Sequence, residues 1–524
     1  MSFALLSLIV GWIFVLIWVP LTVLSQRKVH PKALFTLFFA EMWERFSFYG
    51  MRAFLVLYIS KEIFENLGQG HAEERSVGIY GAFNALLYAA PIVGGMLADR
   101  LLGFRRAVII GALLMASGQF IMAINAATSD TTYILFLGLS ILAIGNGFFK
   151  PNISSFLGTF YDRNDRRKDS AFTIFYMGIN VGAFLAPLTC GYLAETYDYS
   201  LGFAAAGAGM LLGLVVFWRN MQNYADQGNP PDPAALNRPG FLGIPNQWLV
   251  FLGVVVVAPI FSFLIDNEGI TSWILIITGV VVIGYILVTS LYKAEDKVEG
   301  QRLVVFLLLF FFHMIFWTLF EQAGGSLNFL TDKYVNKHGI ETSQFQSLNA
   351  LFIILLAPVF TWIWNSLSKR DAEPRTPIKF TLALIQMALG YFIIVAGARS
   401  VLGTVDDGGL IPIFFLVFMY MFHTTGELSL SPVGLSVVTK LSPAKTVGFV
   451  MGTWFLSISF GHKIAGKLGQ MIASPGSGPD VSKADALSAY IDVYMNWGVY
   501  ITLGAAVILF LLSGWLKRWM HGVL

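Results

Sequence analysis

Fifteen runs in this 524-residue chain are apolar and long enough to cross a bilayer as helices, which takes about 20 residues each. One lies near residues 3–25. Six follow, near 33–60, 76–99, 105–127, 132–160, 168–194 and 199–219. The polar, Pro-rich piece MQNYADQGNPPDPAALNRPG then reads as a linker. Two more runs lie near 244–266 and 271–292, and a last six near 302–331, 342–367, 376–399, 409–439, 445–473 and 488–516. The pattern of one, six, two and six predicts an all-α integral membrane protein. Only 12% of the residues are charged, half the soluble norm of about 25%, which supports that class over a soluble fold. The first run lacks a basic leader segment and reads as a retained helix.

The basic residues test this count. The loops holding QRKVHPK, DRLLGFRR, DRNDRRKDS, SKRDAEPRTPIK and LKRW, with Arg219, Arg238, Lys293, Lys297, Arg302, Lys440 and Lys445, carry 23 Lys and Arg. The opposite loops carry six: Lys61, Arg75, Lys333, Lys337, Arg399 and Lys483. The basic side is cytoplasmic by the positive-inside rule. That places the C-terminus inside and, if the first helix spans, the N-terminus outside. A net charge of +3 is too small to suggest nucleic acid, and the single Cys190 cannot form an internal disulfide.

Five basic residues remain within the spans, Arg45, Arg52, Lys150, Lys463 and Lys467, with the acids Glu41, Glu44, Glu321 and Glu427. A charge at the bilayer centre costs about 2.5–3.5 kcal/mol, so such groups should pair or face a wet cavity. In the stretch EMWERFSFYGMR, positions 41, 44, 45, 48, 49 and 52 share one helical stripe. Its two acids and two arginines cancel formally. A protonatable carboxylate beside a permanent cation can shift that balance; a neutral packing clamp is the competing reading.

Other spans join a charge to a flexible point. GNGFFKPN sets Lys150 beside Pro151; FWTLFEQAGGSLNF sets Trp317 and Glu321 one turn apart, then a Gly-Gly pair suited to a bend. HTTGELSLSPVGLS sets Glu427 and Ser431 one turn apart between Gly426 and Pro432. The first six-helix block thus supplies the cations Arg52 and Lys150, and the second supplies Glu321 and Glu427, with Asn349 from QSLNALF. A ligand bridging the halves needs an anionic and a cationic end, as a peptide-sized zwitterion has. Tyr49, Tyr88, Trp317 and Trp454 offer walls for variable side chains, although most aromatics in such a chain face lipid. His313, His423, His462, Lys463 and Lys467 receive no assignment: the histidines fit helix packing better than the alternative of a pH switch, and Lys467 is placed to snorkel outward near its helix end.

EMWERFSFYGMR resembles the Glu-x-x-Glu-Arg-Phe-x-Tyr-Tyr-Gly signature of the proton-dependent oligopeptide transporter family. FYMGINVGA, from Phe175 to Ala183, resembles its second signature, and GGMLADRLLGFRR the loop motif of the wider major facilitator superfamily. GELSLSPVGLS and MGTWFL resemble family segments of the second half. The resemblance implies the major facilitator fold: two six-helix bundles over 31–220 and 301–524, with a linker and two inserted helices over 221–300. It further implies that Arg52 and Lys150 hold a peptide carboxylate. Asn180, Asn349 and Glu427 would hold its backbone and amino end, while Glu41, Glu44, Arg45 and Glu321 couple protons. Arg52 with Glu321 and Lys150 with Glu427 would be the gates. Three departures stand out. Phe48 replaces the first Tyr of the usual pair, GAFNALLYAAP lacks the histidine of animal members, and the N-terminal helix over 1–30 is extra.

The expected function is proton-coupled import of di- and tripeptides by alternating access, in a multi-pass protein of a bacterial inner membrane that works as a monomer. No cofactor or metal is expected, with the proton gradient as energy source. One charge through 100 mV supplies about 2.3 kcal/mol, and each pH unit about 1.4 kcal/mol. The spans hold no nucleophile–base set, so an enzyme is not expected, and no Walker-type phosphate loop is present. Transport of another small anion or zwitterion such as nitrate, or peptide binding without transport, stays open at this point.

Overall fold

The computed structural model describes residues 2–128, 130–162, 165, 167–294, 296–443, 447–474 and 481–523. Arg163, Arg166 and Lys445, counted above on the basic side, lie outside the described residues. The described residues form helices joined by turns and loops, with two isolated β-bridges, Pro239 to Pro245 and Val335 to Ile411. In order the helices are α1 (Phe3–Gln26), α2 (Lys32–Tyr58), α3 (Gln69–Ala89), α4 (Pro91–Leu97), α5 (Gly103–Thr128), α6 (Thr132–Gly158) and α7 (Arg167–Ala186). Then come α8 (Tyr192–Thr196), α9 (Tyr199–Arg219), α10 (Asn246–Asp266), α11 (Glu268–Val288), α12 (Lys297–Phe320) and α13 (Ser326–Tyr334). The last are α14 (Ser347–Ser368), α15 (Thr376–Val401), α16 (Ile413–Leu441), α17 (Val447–Ala473), α18 (Lys483–Val493) and α19 (Thr502–Met520).

Twelve stretches among the described residues are long and apolar enough to span a membrane, one of them joining α3, α4 and α5 over Gln69–Thr128. The two remaining predicted spans, α2 and α17, are fully helical but too polar to qualify by composition. They carry most of the intramembrane charges, which is why they escape an apolarity criterion.

The chain divides into two compact units. The first comprises residues 1–63, 86–267 and 338–350. Its helices meet through small residues, as bilayer packing favours, because apolar surface alone gives no preference for protein over lipid. Gly111 and Gly118 of α5 face Gly145 and Gly138 of α6; a methyl group on Gly118 would sit 2.6 Å from the Gly138 carbonyl oxygen. Pro151 cannot donate to the Gly147 carbonyl one turn before it. Gly94 of α4 lies directly against that carbonyl oxygen, close enough to exclude a side chain. The turn into α5 needs Gly103 at φ +72°, and Arg105 beside it ties the linker by donating to the backbone carbonyls of Gln227 (2.7 Å) and Ala225. Outside the membrane spans, Arg167 holds the Asp165 carboxyl below its usual range through a 2.8 Å ion pair.

The extra helix α1 belongs to this unit. Its buried residues Ala4, Gly11, Val15 and Val19 form one stripe. Gly11 meets Leu188 and Phe184, and Trp12 Nε1 donates to Thr189 Oγ1 at 3.0 Å. The helix therefore docks on the end of α7, and its other face is exposed and apolar. The inserted helix α10 packs on α6.

The second unit comprises residues 64–85, 268–337 and 351–524. Here α15 packs between α16 and α19, and α12 rests on α17 and α19. The inserted helix α11 packs on α12 and α17. The expected bend is present: α12 stops at Phe320, one 3₁₀ turn covers Glu321–Gly324, and α13 restarts at Ser326 after Gly325 at φ −116°, ψ −113°. By contrast, α16 runs unbroken through Gly426 and Pro432.

Candidate functional site

In the first unit, the stripe on α2 becomes a buried cluster. Glu41, Glu44 and Arg45 are 2%, 0% and 3% exposed, so water does little to screen them. Arg45 Nε donates to Glu41 Oε1 at 2.8 Å and lies 2.7 Å from Glu44 Oε2. From α6, Asn146 Nδ2 donates to Glu44 Oε1 at 3.3 Å. Two carboxylates thus share one guanidinium. Glu41 Oε2 is buried without a hydrogen-bond partner among the described residues, and Glu44 Oε2 has the Arg45 guanidinium beside it but no well-aligned hydrogen bond. Such oxygens are places where a proton can sit.

The rest of that face carries the predicted cations. The Arg52 guanidinium stands over the Tyr49 ring, 5.6 Å from its centroid. Lys150 Nζ stands 4.2 Å from the centroid of Tyr88, a cation–π distance. Lys150 is half-buried and lies within Coulombic reach of Glu44. Asn180 spends one amide hydrogen on its own helix, donating to Tyr176 O at 3.0 Å. Asn349 is half-buried in the first turn of α14. Phe48, the departure from the Tyr-Tyr pair, is fully buried.

The two sequence signatures meet in space. Gly182 of FYMGINVGA lies against the Met42 carbonyl and Arg45 Cβ of α2, and Gly178 against Phe38. These glycines received no role from sequence, nor did Asn146. Asn146 stands four residues before Lys150, the spacing that puts both on one helix face.

In the second unit, Glu321 opens the 3₁₀ turn at the bend and is 1% exposed. His462 Nδ1 lies 3.6 Å from Glu321 Oε2. Trp317 Nε1 donates to His313 Nε2 at 2.8 Å, His313 Nδ1 meets Ser457 Oγ at 2.6 Å, and Ser457 donates to Trp454 O. That chain satisfies a neutral His313, in keeping with a packing role. Trp454 is 2% exposed and packs on His313 and Phe306, whereas Trp317 is half-buried. Glu427 and Ser431 are half-buried on α16, with Ser431 Oγ lacking a hydrogen-bond partner among the described residues. Lys463 is bound to Glu268 of α11 at 3.0 Å, and Lys467 is exposed.

Known proteins resemble the chain closely. The POT family model matches residues 105–483. The peptide transporter YePEPT of Yersinia enterocolitica subsp. palearctica is 35% identical over 506 residues, covering 92% of this chain and 94% of the relative. The dipeptide and tripeptide permease A of Proteus mirabilis is 33% identical over 486 residues, covering 92% and 94%. Among solved structures, a peptide transporter POT in complex with sulfate aligns with a TM-score of 0.78 at 36% identity, covering 94% and 96%. A POT family transporter in complex with 5-aminolevulinic acid aligns with a TM-score of 0.77 at 29% identity, covering 93% and 97%. The matched motifs, the helix order and these likenesses agree: the chain is a multi-pass membrane transporter with the major facilitator fold, and it belongs to the POT family.

Proposed function

We propose that this protein imports di- and tripeptides together with protons across a bacterial inner membrane, by alternating access and as a monomer. The observation that carries the reading is the buried Glu41–Arg45–Glu44 cluster within reach of Lys150. With both acids ionised, the cluster holds one more carboxylate than guanidinium, and the Lys150 ammonium offsets the excess. A peptide carboxylate that engages Lys150 withdraws that compensation from Glu44. A proton on Glu44 restores neutrality, because an uncompensated buried charge costs several kcal/mol. Peptide and proton thereby favour each other's binding by electrostatics alone, and coupling of this kind is reciprocal.

In this proposal Glu41, Glu44, Arg45 and Glu321 handle protons. Arg52 and Lys150 take the peptide carboxylate, and Asn180, Asn349 and Glu427 its backbone and amino end. Tyr49, Tyr88, Trp317, Ser431 and Trp454 line the path for side chains. Arg52, Glu321, Lys150 and Glu427 also serve as gates. The bundles at 31–220 and 301–524, with 221–300 as linker and inserted helices, are part of the same proposal. The names of the relatives support peptides as substrates, and the energy comes from the proton gradient without a cofactor. Uptake of a labelled dipeptide into proteoliposomes tests it: accumulation should follow an imposed inward proton gradient and collapse with a protonophore. Gradient-independent uptake would refute coupling, and nitrate displacing dipeptides from the site would favour a different cargo.

A further inference from the structure

The loop that leads into α14 is held by the first unit: residues 338–350 pack there, although the chain on both sides of them belongs to the second. Part of what holds this strap is α1, a helix with no part in peptide or proton binding. We propose that α1 is a latch of the outer gate, gripping the strap at Gly339 and Gln344 and so holding the start of α14 on the α7–α8 segment. The inference deepens the transport reading and rests on it.

The grip is made of specific hydrogen bonds. The first amides of a helix have no partner within it. In α1 the Leu5 amide donates to Ser2 Oγ at 3.2 Å, and the Ala4 amide donates to the Gly339 carbonyl of the strap at 3.2 Å. His338 and Gly339, at φ +49° and +77°, form the turn that presents this carbonyl. Gln344 Nε2 donates to two carbonyls, Ala4 O at 3.1 Å and Leu188 O at 3.3 Å, while its Oε1 accepts from the Glu341 amide at 3.1 Å. One side chain thus ties α1, the end of α7 and the strap together. Ala4 and Gln344 are 1% and 2% exposed, so water competes little for these bonds.

The rest of the strap is fastened to the same unit. Glu195 of α8 accepts from the Thr342 and Ser343 amides at 3.2 and 2.7 Å, and Gln346 Nε2 donates to Ala53 O of α2 at 3.0 Å. Ser343 is fully buried on Gly191, where an added methyl group would sit 2.6 Å from Ser343 Cβ. The 3₁₀ turn Thr342–Gln346 then runs directly into α14, which carries Asn349 in its first turn.

The sidedness agrees. The loop holding Lys333 and Lys337 lies opposite the basic side, so the strap is at the outer face. Its bonds to Ala4 put the N-terminal end of α1 there too, the orientation that the charge count leaves conditional. An outward opening that carries the start of α14 away must break the bonds to Ala4 and Leu188. Gln344 is therefore a positioning residue through which α1 favours the outer-closed state.

The burial of Ser343 supplies the test. In right-side-out membrane vesicles, Ser343→Cys in the otherwise intact protein should react slowly with a membrane-impermeant maleimide; protein without that change is the blank for the buried Cys190. Adding Gln344→Ala should speed the reaction about fivefold or more, since each hydrogen bond lost shifts an equilibrium by roughly two- to tenfold. Adding Gly11→Leu instead pushes α1 off Leu188, leaves the strap untouched, and should also speed it. Trp12→Phe, which gives up only the bond to Thr189, repeats that arm if Gly11→Leu does not fold. Labelling unmoved by the α1 substitutions would overturn the proposal. In dipeptide uptake, Gln344→Ala should lower KM, because a larger outward-open fraction raises apparent affinity. It should lower kcat as well, because closure over bound peptide loses the same bonds. An unchanged KM would likewise overturn the proposal. If wild-type protein moves no dipeptide, the transport reading fails while the labelling still decides the latch.

Discussion

Gly182 of α7 rests on the Met42 carbonyl of α2, one turn from the Arg45 that holds two buried acids. The second family signature is therefore the floor on which the first is mounted. Gly182→Val has no space for its side chain and must push α2 off α7. Overpacking of this kind costs about 1–3 kcal/mol. A lowered melting temperature in detergent, with lost transport, is the expected result. Gly178→Ala should be milder, because its nearest atoms belong to the Phe38 ring, which can shift.

Two adjacent glycines provide an internal control. Gly94 lies against the Gly147 carbonyl, whereas the nearest atom to a methyl group on Gly95 is Pro151 Cβ at 3.8 Å. Gly94→Ala should destabilise the protein in a thermal unfolding assay. Gly95→Ala should change its melting temperature by no more than a degree or two.

Removing one partner of a buried ion cluster is worse than its net worth suggests, because the other charges stay behind. Arg45→Leu leaves two buried acids without their shared guanidinium and should cost about 3–5 kcal/mol. The triple change Glu41→Gln, Glu44→Gln, Arg45→Leu should recover much of the folded yield, measured by size-exclusion chromatography, without recovering uptake.

Lys150→Ala should weaken peptides with a free carboxylate more than their C-terminal amides. Competition against a labelled dipeptide measures both. Equal loss for the two series would remove Lys150 from carboxylate binding.

At the loop before α2, His30 lies between Tyr161 (3.0 Å) and Ser170 (3.2 Å). Burial, then the nearby Arg167 charge, hold its pKa below the usual 6.5. A base depressed in the folded state contributes stability above its unfolded value, and that stability is lost as pH falls through the folded value. Melting temperature should therefore drop on acidification below about pH 6.5, and His30→Gln should flatten that part of the curve.

Much of this arrangement was legible in the sequence. The run lengths set the helices, the α2 stripe set the ion cluster, and the Gly-Gly pair after Glu321 set the bend. What escaped were relations between distant segments. Gly178, Gly182 and Gly94 look like any membrane glycines until the carbonyls they rest on are known. His462 and Asn146 have no local signal at all, since their partners lie 141 and 102 residues away. The docking of α1 on α7 is likewise a matter of complementary surfaces, which periodicity does not encode.

The central claim is that proton binding drives peptide accumulation. The most direct measurement compares wild-type protein with Glu321→Gln in proteoliposomes, reading gradient-driven dipeptide accumulation and counterflow exchange side by side. The account predicts that the variant loses accumulation and keeps exchange. Accumulation that survives in the variant at the wild-type level would contradict it.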